Sequence, residues 1–288
     1  MGTFKWELQK GSKHIACPSC GKKTFKPYVS AADGKTFADA EKYGRCERIN
    51  SCGYLAYPNP GGDDFYFTPP PPEPPLPPSF VPPEIVEKTF FEFRRNPFFL
   101  YMVKLFGSEK AYELQEMYNI GTAKNGGTIF WQQDKDGNFR TGKVFYYDNK
   151  GKRRKDRPSW FLHRKIDPEF NLQQVLFGEH LTPDAQRIAL VESEKTAILM
   201  SAFHPSITWV AAGGAQMLNL DRLGRLPRLD EVYPDAGQFD LWRQKTHLFE
   251  ERSMNYRVEK AAKDGVVPQG ADVLDLELLE RDLLHITI

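Results

Sequence analysis

All four cysteines of this 288-residue chain lie within its first 52 residues, in two short turns that share Ser-Cys-Gly. A Cys-x2-Cys turn lets two thiolates reach one tetrahedral ion, and four thiolates leave no position open for a substrate. The spacing therefore predicts a structural zinc site. Disulfide bonds or free core thiols are the alternatives, and grouped cysteines without a signal peptide disfavour both. The predicted zinc ligands are Cys17, Cys20, Cys46 and Cys52.

Two carboxylates far apart in the sequence occupy equivalent positions after short apolar segments. Glu192 follows residues 188–191, and Asp235 comes shortly after residues 231–233. Open α/β sheets build their sites at the carboxyl ends of such strands. If the two strands are neighbours, the carboxylates converge and can hold Mg²⁺ against a phosphate. The alternative for Glu192 is an acid that interacts only with a helix dipole.

Basic residues around the cysteines, among them Lys22 and Lys23, predict contact with nucleic acid. Aromatic residues are interspersed with them: Phe25, Tyr28, Tyr43 and Tyr54. Cations for phosphates and rings for bases suit a single strand. The alternative is a small domain in which the lysines are solvated and the rings form a core.

A second basic group lies in a predicted turn between two aromatic-rich strands. It holds the densest positive charge in the chain: Lys152, Arg153, Arg154 and Lys155. Such a loop can follow a phosphate backbone, although a solvated turn has the same composition.

A proline-rich segment divides the chain, since residues 69–78 contain too many prolines for a helix or a sheet. Such a run is a semi-rigid spacer. Basic residues outnumber acidic ones before residue 58 and in residues 83–180, and the reverse holds in residues 181–288. The predicted divisions are a zinc ribbon (1–57), a linker (58–83), an α+β subdomain (84–180) and an α/β domain (181–288).

The apolar spacing predicts the elements within these divisions. Two helices are expected in residues 84–117, interrupted at Pro97 and Gly107, and then an antiparallel meander with strands near 128–131, 143–147 and 160–162. Strand and helix then alternate, which predicts a parallel sheet. Its expected strands are 188–191, 207–212, 231–233 and 256–258, with helices at 194–203 and 239–250. No apolar run is long enough to cross a membrane.

The order of motifs after residue 187 resembles the Toprim domain of bacterial replicative primases and topoisomerases: strand and Glu192, strand and Gly213-Gly214, strand and Asp235. With Arg140-Thr141-Gly142-Lys143, Trp160 to Arg164 and Glu192 to Ala197, most of the chain resembles zinc-ribbon, primase-like proteins of bacterial mobile elements. The resemblance implies an acid or base role for Glu192 and a Mg²⁺ ligand at Asp235. It also implies that Lys143 and Arg164 face the carboxylates, and adds Lys195 to the expected nucleic-acid contacts.

The Toprim pattern Asp-x-Asp is incomplete here, because Gly237 takes the second position. Asp240, the nearest later acid, is therefore the third expected Mg²⁺ ligand beside Glu192 and Asp235. The resemblance therefore implies one of two functions. The first is Mg²⁺-dependent primer synthesis on single-stranded DNA, with RNA as the alternative nucleic-acid partner. The second is non-catalytic binding of single-stranded nucleic acid by a protein with a degraded site. Nuclease activity is a third hypothesis. A replicative helicase is an expected partner, a membrane is not, and a cytoplasmic location is expected. Asp272 and Asp275 could contribute to the site, although acids on a surface helix are more often solvated charges, and this second interpretation is the expected one.

Overall fold

The computed structural model describes residues 5–49, 51–58, 66–67, 76–214, 217–246 and 253–283. The chain divides into two compact units, Met1–Leu76 and Pro77–Ile288. This boundary falls within the predicted linker. In the described ranges, no helix combines the length and the apolar character needed to cross a bilayer.

The first unit is an antiparallel sheet with the strand order β1-β3-β4-β5-β6, and β2 also pairs with β3. Its core is small: Cys17, Phe25 and Cys46 form one buried cluster, and Tyr28, Val29 and Ala56 are also buried. Gly44 is required where β3 and β4 meet, because a Cβ atom there would lie 2.5 Å from Cζ of Phe25. The strands are β1 (Trp6–Leu8), β2 (Ile15–Ala16), β3 (Lys23–Ser30), β4 (Gly44–Cys46), β5 (Leu55–Ala56) and β6 (Tyr66–Phe67).

The second unit begins with helices α1 (Pro83–Glu87), α2 (Pro97–Phe106) and α3 (Ser108–Met117). The Asn96 side chain accepts hydrogen bonds from the first amides of α2, and Pro97 occupies its first turn. Gly107 separates α2 from α3 with a positive φ of 85°. Pro97 and Gly107 therefore mark helix boundaries, as the sequence predicts, but three α-helices are present where two were expected.

An antiparallel meander follows, with the strand order β10-β9-β8-β7. One face packs Phe130 and Phe145 against the α2–α3 pair, and the other packs Ile129 and Val144 against Val86 of α1. The predicted meander is confirmed, and β7 is an additional strand. Its elements are β7 (Ile120–Thr122), β8 (Thr128–Gln133), β9 (Phe139–Phe145), β10 (Trp160–Phe161) and α4 (His163–Ile166).

The last part is a parallel sheet with the strand order β12-β11-β13-β14. The prediction of a strand at residues 256–258 is wrong, because Tyr256 caps helix α8 and Val258 is buried on it. Three alternating residues do not distinguish a strand from a helical turn. The elements are β11 (Ile188–Val191), α5 (Glu194–Phe203), β12 (Thr208–Ala211), α6 (Leu220–Leu223), β13 (Glu231–Tyr233), α7 (Phe239–Thr246), β14 (Ser253–Met254), α8 (Arg257–Lys263) and α9 (Val273–Glu280).

Candidate functional site

Glu192 and Asp235 lie at the same edge of the parallel sheet. Strands β11 and β13 are neighbours, and Val191 pairs in register with Tyr233. Glu192 follows β11 directly, and a hydrogen bond joins its carboxyl group to that of Asp235. The convergence that the sequence predicted for these two acids is therefore present.

The environment of Asp235 disfavours its charged form. Burial, followed by the nearby carboxylates of Asp272, Glu192 and Asp275, raises the pKa of Asp235 to about 9. Like charges that share a site cannot all ionise without a compensating cation. We call these four acids the carboxylate site.

Asp272 and Asp275 belong to the carboxylate site. Asp272 is half-buried, so the expectation of a solvated charge is wrong for it, whereas Asp275 is exposed on the helix as expected. Asp272 is the N-cap of α9 and forms a capping box with Asp275. The amide of Ala236 donates to the carbonyl of Ala271 at 2.8 Å, which brings the two segments together. Burial and Asp272 raise the pKa of Asp275. The Asp-x-x-Asp spacing before an apolar run signals the cap, although it does not reveal the partner.

Helix α5 connects the carboxylate site to neighbouring elements. The Ser193 hydroxyl caps the helix by accepting from the amide of Thr196 at 3.2 Å. The Thr196 hydroxyl donates to Asp272 Oδ2. The next acid, Glu194, is buried and lies 3.2 Å from Lys143 Nζ. Lys143 also donates to the carbonyl oxygen of Gly213 at 2.5 Å.

Lys143 is thus a buried residue in an ion pair, not an exposed cation. Its contact holds the Gly213-Gly214 loop, whose two amides donate to the Glu192 carbonyl at 2.9 and 3.1 Å. Gly213 has a φ of +82°, a conformation that favours glycine. The structure therefore gives Lys143 a role in positioning the backbone beside Glu192.

Tyr101 adds a polar group that the sequence did not single out. Its side chain is buried, and its hydroxyl has no hydrogen-bond partner among the described residues. Burial and the charges of Asp275 and Asp272 raise its pKa. A buried hydroxyl beside two carboxylates forms a polar wall of the site.

Asp240 occupies a different environment from the four acids of the site. It is exposed near the start of α7, and its carboxylate lies 3.3 Å from Arg243. Gly237 has a φ of +87°, and its amide donates to Glu259 at 2.7 Å. Asp272, rather than Asp240, is therefore the further acid that acts on Asp235.

The basic group at residues 150–157 forms a turn held by Asp148, whose carboxylate accepts from the amides of Lys150 and Lys152, each at 2.9 Å. Arg153 lies 4.4 Å above the ring of Phe145. We call residues 148–157 the basic hairpin. Lys152, Arg153, Arg154 and Lys155 are exposed on it, although Arg154 also pairs with Asp156 at 2.6 Å.

Lys195 and Arg164 differ in their surroundings. Lys195, on α5, donates to the carbonyl of Gly151 in the basic hairpin at 3.2 Å. Arg164, on α4, is exposed. Lys195 is therefore engaged within the fold, while Arg164 is available to a ligand.

The four cysteines of the first unit are free thiols, and their sulfur atoms lie within 4.8 Å of one another. Sγ of Cys17 lies 3.8 Å from Sγ of Cys52. A tetrahedral ion with Zn–S bonds of about 2.3 Å needs sulfur atoms about 3.8 Å apart, so the quartet fits zinc. The backbone amide of Lys22, followed by the side chains of Cys52, Cys17 and Arg48, lowers the pKa of Cys20 to about 6, which favours a thiolate ligand.

The aromatic residues of this unit are partly structural. Phe25 and Tyr28 are buried, so they belong to its core and are not free to stack on bases. Tyr54 packs edge-on against Phe25, with ring centroids 5.7 Å apart. Lys22 and Lys23 are exposed. The alternative of a small aromatic core is correct for the two buried rings, whereas the two lysines remain available to phosphates.

Two family models match parts of the chain. Residues 4–64 match a zinc beta-ribbon finger, in agreement with the cysteine quartet. Residues 96–236 match a domain of unknown function (DUF6371). No curated protein matches the chain.

Three solved structures have distant similarity. The primase fragment of the bacteriophage T7 primase-helicase protein is 13% identical, with 93% of this chain and 98% of that chain covered and a TM-score of 0.41. The second is a bacteriophage T7 lagging-strand DNA polymerase that interacts with primase domains of two gp4 subunits bound to an RNA/DNA hybrid and dTTP. It is 14% identical, with 61% of this chain and 85% of that chain covered and a TM-score of 0.38. The third, a DNA primase domain from Pseudomonas aeruginosa, is 14% identical, with 62% of this chain and 65% of that chain covered and a TM-score of 0.30.

Proposed function

We propose that this chain is a primase-like, Mg²⁺-dependent nucleotidyl transferase that acts on single-stranded DNA. The observation that carries this proposal is the parallel pairing of β11 with β13, which places Glu192 beside Asp235 at the carboxyl edge of the sheet. Open α/β sheets bind their ligands at this edge.

The carboxylate site has the composition that Mg²⁺ requires. Mg²⁺ is commonly held by one or two carboxylates and completes its shell with waters and substrate phosphates. Burial and three neighbouring carboxylates raise the pKa of Asp235, so a bound cation would favour its charged form. Glu192 and Asp235 would hold the ion, and Asp272 would add negative charge beside them. The bound ion would neutralise the charge that develops on a transferring phosphoryl group.

The protein's own residues then have distinct roles. Glu192 accepts the proton of the attacking hydroxyl group as its oxygen bonds to the α-phosphorus of the incoming nucleotide, and pyrophosphate leaves with the electron pair of the broken P–O bond. The Gly213-Gly214 loop allows close approach of the substrate backbone. Lys152, Lys155 and Arg164, which are exposed, contact template phosphates, and Lys22 and Lys23 of the zinc ribbon do the same. Cys17, Cys20, Cys46 and Cys52 hold a structural Zn²⁺.

Non-catalytic binding of single-stranded nucleic acid is the second candidate. One observation favours it: among the described residues, the cysteines are the group in which three or more potential metal ligands converge within 4.8 Å. The carboxylates do not meet that criterion, and Gly237 supplies no side chain. Nuclease action at the same carboxylates is a third candidate, since Mg²⁺ can also activate water.

The test combines synthesis and binding on one substrate. Purified protein is incubated with single-stranded DNA, labelled ribonucleotides and Mg²⁺, and the products are sized. We expect short ribonucleotide products that disappear in Glu192→Gln and persist in Asp240→Asn, which changes an acid outside the carboxylate site. Salt-dependent binding without products would support the accessory role, and shortened template would support a nuclease. Products of unchanged yield in Glu192→Gln would contradict all catalytic versions.

A further inference from the structure

A cavity of about 470 Å³ opens on the meander, separate from the carboxylate site. It lies between α1, the turn after β7, and the β10–α4 segment. Ile129 of β8 forms part of its floor, whereas Phe130, the next residue, packs on the opposite sheet face. Its volume lies within the range of pockets that bind small ligands or side chains.

The walls of this cavity consist of apolar side chains and of polar groups that are hydrogen-bonded within the protein. Its lining includes the large apolar side chains of Ile85, Ile129, Trp160 and Leu162. The polar wall groups already have partners within the protein. Thr89 Oγ1 donates to the carbonyl of Val86 at 2.6 Å and accepts from Trp131 at 3.0 Å. The part of a ligand that enters the cavity must therefore be apolar, because the wall offers few unused hydrogen-bonding groups.

Three lysines from three different elements line the mouth. Lys88 follows α1, Lys124 lies in the turn after β7, and Lys165 is on α4. All three are exposed, and no carboxylate of the described residues forms an ion pair with any of them. Lys165 Nζ lies 3.9 Å above the ring of Trp160. An apolar cleft with separated cations around it is complementary to a ligand with one apolar anchor and several acidic groups.

We infer that this cavity is a docking site for an acidic peptide segment of a partner protein, with a large apolar side chain inserted between α1 and β10. A nucleobase fits less well, because its polar edges would lose hydrogen bonds to water against walls whose own polar groups are occupied. A fatty acid fits less well, because its single carboxylate cannot serve cations on three elements. The inference is independent of catalysis at the carboxylate site.

The test uses the full-length protein loaded with zinc and a fluorescein-labelled heptapeptide that has a central Leu-Phe pair flanked by aspartates. Fluorescence anisotropy should show saturable binding in the micromolar range. The double reversal Lys88→Glu with Lys124→Glu should weaken binding at least about tenfold. Ala123→Trp, which fills the cavity, should abolish it. Lys135→Glu is the matched control, because this exposed lysine lies in the β8–β9 turn away from the cavity, and it should change affinity by less than about twofold.

Two further peptides and an oligonucleotide decide between occupants. Replacing Leu-Phe by Ser-Gly, or the aspartates by asparagines, should each remove most of the binding. Circular dichroism and thermal melting establish that the variants remain folded. The inference is overturned if the neutral peptide binds as tightly as the acidic one, or if Lys135→Glu weakens binding as much as the double reversal. It is also overturned if binding does not saturate at about 1 mM peptide, because a dissociation constant above that value would be too weak for a docking site. It is also overturned if a single-stranded oligonucleotide, but no peptide, loses binding in Ala123→Trp.

Discussion

Lys195 donates a hydrogen bond from Nζ to the carbonyl oxygen of Gly151, 3.2 Å away. This contact joins α5, which follows Glu192, to the base of the basic hairpin. Gly151 has a φ of +69°, and its backbone lies so close to the Tyr101 ring that a Cβ atom would be 2.5 Å from it. The position of the hairpin cations relative to the carboxylate site is therefore set by interior contacts at one glycine.

Gly151→Ala should destabilise the protein by about 2–4 kcal/mol, since it adds both a left-handed backbone strain and a clash with a buried ring. Gly265→Ala is the matched control: its φ is +73°, but nothing lies within 4 Å of the added Cβ. That substitution should cost only about 1 kcal/mol. Urea unfolding monitored by circular dichroism measures both. Equal losses would mean that the Tyr101 contact contributes nothing.

Zinc removal should unfold the first unit, because its buried core is small and the metal is the link that joins its two cysteine turns. Cys46→Ser should lower the zinc content from one ion per chain to near zero and remove the near-ultraviolet signal of the ribbon tyrosines. Ser51→Ala, beside Cys52 but without a thiol, should retain zinc. A chromogenic zinc assay gives the stoichiometry. Full zinc content in Cys46→Ser would refute the four-cysteine site.

The sequence predicts the pairing of Glu192 with Asp235 because short apolar strands joined by helices form parallel neighbours with their carboxyl ends at one edge. It does not predict the place of Asp272, because the return of the chain after α8 depends on tertiary contacts such as the one between Ala236 and Ala271. Lys143 has the composition of a phosphate ligand, yet the packing of the meander against α5 buries it against Glu194. Local patterns thus predict the strand ends and the zinc ligands, whereas burial decides which charges remain free.

The stability of the zinc-loaded protein without Mg²⁺ should fall as the pH rises from 6 to 8.5. An unfolded aspartate has a pKa near 3.8, and that of folded Asp235 is raised to about 9. Between these values the folded state holds a proton that the unfolded state has lost, so the free energy of unfolding decreases with increasing pH. The thermal midpoint of the zinc-loaded protein in buffer without Mg²⁺ should fall by at least about 2 °C over this range. Asp235→Asn should lessen the slope, and Asp240→Asn should not.

Magnesium should act in the opposite direction to pH, because an ion at the carboxylate site favours the deprotonated form of Asp235. At pH 8.5, titration with Mg²⁺ after zinc loading should raise the thermal midpoint of the wild type and of Asp240→Asn. The same titration should leave Asp235→Asn nearly unchanged. Equal stabilisation of all three proteins would indicate that Mg²⁺ binds elsewhere.

The buried pair of Lys143 and Glu194 should show strong coupling. Removing one partner leaves a charge in the interior without its counter-ion, which costs about 3–5 kcal/mol. Lys143→Met and Glu194→Leu should each show such a loss. The loss of stability in the double variant should be smaller than the sum of the two single losses by at least about 2 kcal/mol. Lys135→Met, at an exposed lysine, should change stability by less than about 0.5 kcal/mol. Urea unfolding of the four variants gives the coupling energy, and strictly additive losses would show that the pair contributes no more than two separate side chains.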